Sequence, residues 1–222
     1  MRKSENGGAW ATVDIQDGTT SGAASYLGAM AAATHPNGSV FVVGALLQKG
    51  EAVWTVRRST NRGATWTTVD ATSPKQGSAR AEAIAVDSTG IIYVAGYANS
   101  FWVVRRSAGG GAAGTWVPVE TAMRYAAARG VTTVRRSDNL PDDVYVAGYA
   151  LENPSNVGHW LVRKAEAGGT SFVFTDDYLM VAGLPAAADA ITHDAAGNLF
   201  ATGYARDTAG TLHWITRKLA AP

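Results

Sequence analysis

The chain contains no cysteine. That removes disulfides, thiol nucleophiles and thiolate metal sites together. Charge of one sign is also missing: 19 Lys and Arg stand against 18 Asp and Glu, a formal net charge of +1. No electrostatic pull toward nucleic acid or an anionic membrane is therefore expected. No run of about 18 apolar residues occurs, so no transmembrane helix is expected. The opening MRKSENGGAW carries two basic residues without an apolar stretch behind them, so it does not read as a secretory signal. No segment sustains a 3.6-residue apolar period, which predicts almost no helix. G-x-S-x-G, P-loop and H-E-x-x-H patterns are lacking too, and Gly109-Gly110-Gly111 reads as a turn, not a phosphate loop.

What is present is a globular composition, 46% hydrophobic and 17% charged, in 222 residues. That suits one all-β domain or two small ones. Within it lies a repeat. Residues 81–120 have relatives at 29–70, 128–177 and 188–219, and the basic pairs Arg57-Arg58, Arg105-Arg106, Arg163-Lys164 and Arg217-Lys218 mark the period. Each unit parses into short β-branched and aromatic runs bounded by Gly, Asn, Asp and Ser. In the second unit these are AEAIAVD, IIYVAGYA, FWVVRRS and GTWVPVE. Four short strands recurring about every 40 to 50 residues are the signature of propeller blades.

The fourth unit stops after its third run (HWITRKL), whereas the chain opens with a fourth run, AWATVDI. The predicted fold is an all-β propeller of four blades, each of four antiparallel strands. The blades span about 26–70, 78–120, 125–177, and 185–219 together with 1–15. The N-terminal strand, residues 9–15, is expected to pair with residues 212–218 and close the ring, because an open edge invites aggregation. A monomer is the expectation. The alternative is a strand-exchanged dimer forming one eight-bladed ring, and a further reading is a piece of a larger propeller.

The text STNRGATW, residues 59–66, resembles the Asp-box repeat S-x-D-x-G-x-T-W, with Asn61 in the Asp position. Ser4, Asn6, Gly8 and Trp10 form a shortened version. Ser107, Gly111, Thr115 and Trp116 form a lengthened one, and Phe172 replaces the Trp in the third unit. With W-x-V-R-R/K, the chain resembles bacterial sialidase-like, Asp-box (BNR) repeat β-propeller proteins over nearly its whole length. The resemblance implies that Ser59, Asn61 and Gly63 are structural, in the turn facing away from the ligand, and that the protein is extracellular or at the cell surface. True sialidases are six-bladed, set three arginines around a carboxylate and use an activated Tyr. Here Arg80, Arg129 and Arg124 are the arginines near the mouth, so classical sialidase activity is not expected. Trp54, Trp102, Trp160 and Trp214 recur at one position per unit, as core packing requires.

Function should show as departure from the repeat. Where the first strands begin, one column reads Met30, Glu82, Arg129, Asp189 and another Tyr26, Ser78, Tyr125, Pro185, while Arg80 varies alone. Glu82 and Asp189 are candidate general acid and base, with Arg129 between them, and Arg129 or Arg80 would hold an anionic group. The competing reading is a carboxylate–Arg–carboxylate bridge that neutralises a narrow channel. Tyr26, Arg80, Tyr125, His159 and His213 are the candidate ligand-binding residues, with the loops at 45–52 and 151–159. Tyr97, Tyr149 and Tyr204 repeat and are assigned to packing. His159 and His213 with Asp189 and Glu82 could hold a divalent metal; the other reading is ordinary rim histidines, and no cofactor is expected. His35 and His193 fall in turns on the opposite face. The function expected is a ligand-binding or interaction propeller, carbohydrate-binding by the resemblance, with its ligand at the channel mouth. The alternative is a hydrolase of a glycoside or ester-type substrate. The partner is a small molecule or glycan, with neither nucleic acid nor membrane.

Overall fold

A computed structural model of the chain describes residues 1–4, 7–16, 28–48, 50–73, 77–138 and 140–220. All regular structure among them is strand. Two short strands at the start, β1 (Arg2–Lys3) and β2 (Ala11–Thr12), pair with each other. Four antiparallel sheets follow in chain order. The first holds β3 (Gly28–Thr34), β4 (Val40–Gln48), β5 (Glu51–Ser59) and β6 (Thr67–Thr72). The second holds β7 (Ala79–Val86), β8 (Ile92–Ala98), β9 (Phe101–Ser107) and β10 (Trp116–Arg124). The third holds β11 (Ala126–Val134), β12 (Asp143–Leu151), β13 (Gly158–Ala165) and β14 (Val173–Tyr178). The fourth has three strands: β15 (Ala186–His193), β16 (Leu199–Arg206) and β17 (Leu212–Leu219).

Each sheet is a simple meander, since sequential strands are joined by short turns. The turn chemistry is written in the sequence. Asp87 Oδ1 accepts the amides of Thr89 and Ile91, and Asp194 Oδ1 accepts those of Ala196 and Asn198. Between β5 and β6, Ser59 Oγ accepts the Gly63 amide at 2.8 Å and Asn61 Oδ1 accepts the Thr65 amide at 2.9 Å. Gly63 itself sits at φ 86°, where a side chain would be strained. Asn6 of the shortened N-terminal copy lies outside the described residues.

The core is three slabs between successive sheets. Trp54, Phe41, Val43 and Val56 of the first sheet pack on Ala79, Ala81, Ile92 and Val94 of the second. Trp102, Tyr93 and Val104 pack on Ala126, Ala128, Val144 and Val146 of the third. Trp160, Tyr145 and Val162 pack on Ala186, Ala188, Leu199 and Ala201 of the fourth. Trp54, Trp102 and Trp160 are each fully buried. First strands neighbour one another in order, β3 with β7, β7 with β11, β11 with β15, so they form the inner wall of the array.

A repeated ion pair staples the same slabs. The first Arg of each basic pair reaches a carboxylate of the preceding segment: Arg105 to Asp70 at 2.7 Å, Arg163 to Glu120 at 2.9 Å, Arg217 to Asp176 at 2.7 Å, and Arg57 to Asp14 at 2.9 Å. In every case the acid follows the aromatic of the turn by four positions: Trp66 and Asp70, Trp116 and Glu120, Phe172 and Asp176, Trp10 and Asp14.

Two expectations are corrected. Residues 9–15 do not pair with residues 212–218: among the described residues β17 bonds only to β16, and β2 bonds to β1. Asp14 on Arg57 instead anchors the N-terminal segment beside the first sheet, in the place that Asp70, Glu120 and Asp176 take for the later sheets. Trp214 is consequently not core. No further sheet covers it among the described residues, and it is 85% exposed. Sequence repetition reports which strand a unit lacks. How far each sheet turns from the last is set by side-chain packing in the slabs, and repetition is silent on that.

Candidate functional site

The variable column has a backbone cause. In each first strand the register skips one residue. Ala29 pairs with Gly44 and Ala31 with Val43, so Met30 is left unpaired. The same skip leaves out Glu82, Arg129 and Asp189. Each is the extra residue of a β-bulge, and a bulge bends its strand and re-aims the side chain it carries. The partner glycine is obligatory. A Cβ on Gly44, Gly96, Gly148 or Gly203 would lie 2.0 Å from the carbonyl oxygen of Gly28, Arg80, Ala127 or Ala187 respectively. The Gly of each repeated G-Y-A or G-A-L is thus a requirement of the bulge.

Re-aimed in this way, the column converges. Met30, Glu82, Arg129 and Asp189, with Arg80, Tyr97 and Tyr149, line one cavity of about 560 Å³ on the inner wall. Arg80 Nη2 lies 3.0 Å from Glu82 Oε2. Arg129 is paired with Asp189 and its guanidinium stacks 4.9 Å from the Tyr149 ring centroid. Burial alone would lower the Arg129 pKa, but the bond to Asp189 and the neighbouring Tyr149 outweigh it and raise it further. Of the two carboxylates, Asp189 pairs with Arg129 and Glu82 with Arg80. The four charges sum to zero, which gives a polar, neutral cavity with two aromatic rings in its wall.

The pairs differ in exposure. Arg80 and Glu82 side chains are 20% and 14% exposed, whereas Arg129 and Asp189 are 38% and 42% exposed. The second pair is the one an incoming group can reach. Tyr97 and Tyr149, assigned to packing from their repetition, line the cavity as well. The signal for them is cross-strand register: Tyr97 stands opposite Arg80, and Tyr149 opposite Ala127.

Other candidates lie elsewhere. His159 Nδ1 is 2.8 Å from Asp177 Oδ1, beside a smaller cavity of about 200 Å³ that also touches Leu161 and Phe174. His213 Nε2 is 2.8 Å from Asp207 Oδ2. That bond holds the Asp207 carboxyl below its ordinary range. Both histidines start third strands, two places out from the inner wall. They therefore cannot meet Glu82 and Asp189, and among the described residues no three metal-ligating side chains converge. Tyr125 is 45% exposed at φ 56°, stacked 4.9 Å under Arg124, and does not line the cavity. Tyr26 lies outside the described residues. His35 and His193 join turns to neighbouring sheets, His35 Nε2 at 2.8 Å from the Gly90 carbonyl oxygen and His193 Nδ1 at 2.9 Å from Thr132 Oγ1.

No protein-family profile matches the sequence, and no curated protein matches it. Solved structures do match in shape. A protein of unknown function from Dyadobacter fermentans aligns over 85% of this chain and 65% of its own, with TM-score 0.60 and 13% identity. The intramolecular trans-sialidase from Ruminococcus gnavus aligns over 85% of this chain and 42% of its own, with TM-score 0.53 and 15% identity. An endo-arabinase from Bacteroides thetaiotaomicron aligns over 86% and 74%, with TM-score 0.50 and 10% identity. The chain thus spans less than two thirds of the first two. At such identities the likeness shows the fold: an all-β architecture of antiparallel four-stranded sheets, shared with β-propellers.

Proposed function

We propose that this chain is a ligand-binding propeller of four blades around one axis, and that it takes a small, hydroxyl-rich molecule, a glycan or a piece of one, in the cavity of the inner wall. One observation carries the reading: the bulge aims Glu82, Arg129 and Asp189, which break the repeat at one column, into a single cavity. Arginine and carboxylate side chains offer bidentate partners to hydroxyls and carboxylates. The rings of Tyr97 and Tyr149 offer apolar faces for stacking. Sialidase and arabinase names among the structural neighbours favour carbohydrate, by analogy of fold.

A second reading rests on Glu82 and Asp189 lining the same cavity. Two carboxylates flanking a substrate can serve as acid and base in glycoside hydrolysis, with Arg129 as the anion holder. A glycan array, followed by calorimetry on the hits, tests the first reading. Arg129→Ala and Tyr149→Ala should each weaken binding about tenfold or more, as loss of a buried hot-spot contact does. Hits indifferent to both substitutions refute this site. A panel of fluorogenic glycosides and esters tests the second: turnover abolished in Glu82→Gln supports it, and silence of the wild type refutes it.

A further inference from the structure

In each of the three interfaces inside the array a third-strand Trp packs on the sheet that follows. In two of them that Trp also covers the bulge glycine of the next sheet. A Cβ on Gly96 would meet Trp54 at 2.6 Å, and one on Gly148 would meet Trp102 at 2.7 Å. The two outer faces of the array each carry half of that design. On the fourth sheet, Trp214 is 85% exposed, with Leu212 at 54% and Leu219 at 48%. On the first sheet, Gly44 opens onto a cleft of about 340 Å³ walled on one side by that sheet (Ala29, Val42, Leu46) and on the other by the N-terminal segment (Met1, Thr12, Ile15). β3 is exposed along most of its length, whereas β7 has no exposed residue.

We propose that a second copy of this chain docks here head to tail. Its Trp214 fills the cleft beside Gly44, and its fourth sheet packs on the first sheet as each internal sheet packs on the next. Two features of the molecule select this occupant. The interface continues a pattern the chain already makes three times, a third-strand Trp (Trp54, Trp102, Trp160) packed on the sheet that follows. The strand count is complementary: the incoming sheet has three strands, and the N-terminal segment of the receiving copy, held by Asp14 on Arg57, already occupies the place of the fourth. A head-to-tail contact forms a ring if its rotation closes. Two copies make eight sheets, within the range of about four to eight blades that propellers adopt.

Sedimentation velocity on the whole chain over a wide concentration range tests this, with circular dichroism to check folding. The wild type should associate reversibly into dimers. Trp214→Ala should weaken that association by about 30-fold or more, the loss of a central hot spot, and leave the dichroism spectrum unchanged. Leu46→Arg, which obstructs the cleft from the other side, should do the same. Mixing the two variants should restore heterodimers, because one intact cleft and one intact Trp214 remain. A wild type that stays monomeric at every concentration overturns the proposal, including the case in which Trp214 closes onto its own chain. A dimer indifferent to both substitutions overturns it equally.

Discussion

The arginine–carboxylate staples allow a graded test, because the same bond recurs at different burial. Arg105 binds Asp70 through two oxygens, at 2.7 and 2.8 Å, with side chains 15% and 8% exposed. Arg163 and Glu120 are 11% and 7% exposed, whereas Arg217 and Asp176 are 37% and 26% exposed. Removing one partner of a buried pair leaves the other charge desolvated and costs about 3–5 kcal/mol. The residual exposure of Arg105 and Asp70 reduces that, so Arg105→Ala should cost about 3 kcal/mol and Arg163→Ala a similar amount. Water already screens Arg217, and its removal should cost about 1 kcal/mol or less. Replacing both partners removes the orphaned charge, so Arg105→Ala with Asp70→Ala should cost less than Arg105→Ala alone. The assay is urea unfolding, with midpoint and slope compared among variants. The series is built in a Trp214→Ala background, so that no second copy contributes. If Arg217→Ala costs as much as Arg105→Ala, burial does not set the strength of the staple. A double variant no better than the single one would show that the cost is lost packing instead of stranded charge.

Gly148→Ala should destabilise the fold by about 3 kcal/mol or more, since the added methyl meets a backbone oxygen and Trp102. Gly28→Ala, with nothing near its Cβ position, should change the urea midpoint little. Arg129→Ala should lower stability by only about 1 kcal/mol or less, because the Asp189 left behind is half exposed, while it removes the cavity's accessible cation. Comparing melting temperature with ligand affinity separates these two effects. Acid should act through Asp143. Burial raises its carboxyl pKa, but Arg136, Lys164 and the Ala167 amide outweigh this and hold it below the ordinary 3.8. Between the two values the unfolded chain binds more protons than the native one. The stabilisation is therefore complete above the unfolded value and is lost as pH falls through the folded one. Melting curves across that window should converge for the wild type and Asp143→Asn at the acid end, and a constant gap would refute the assignment.

Much of the architecture was legible in the sequence, for a physical reason. Strands, turns and the absence of helix follow from local chemistry: Asp87 and Asp194 at tight turns, Ser59 with Gly63 in the longer one, and β-branched runs between. The recurrence of one Trp per unit marked the core, and the spacing from Trp66 to Asp70 or Trp116 to Glu120 carried the staples, although only the structure revealed what that spacing meant. The column Met30, Glu82, Arg129 and Asp189 stood out because it breaks the repeat. Strict strand alternation could not say which way those side chains point. The bulge decides that, and its signature is the glycine on the neighbouring strand, at a distance in sequence fixed only by register. Tertiary structure alone decided the rest. It separated Glu82 and Asp189 onto different arginines, moved His159 and His213 away from them, and gave equal sequence words opposite fates. Trp160 and Trp214 share one repeat position, yet the first is sealed by the sheet that follows and the second is bare, because burial belongs to the neighbour a residue meets and not to the residue itself.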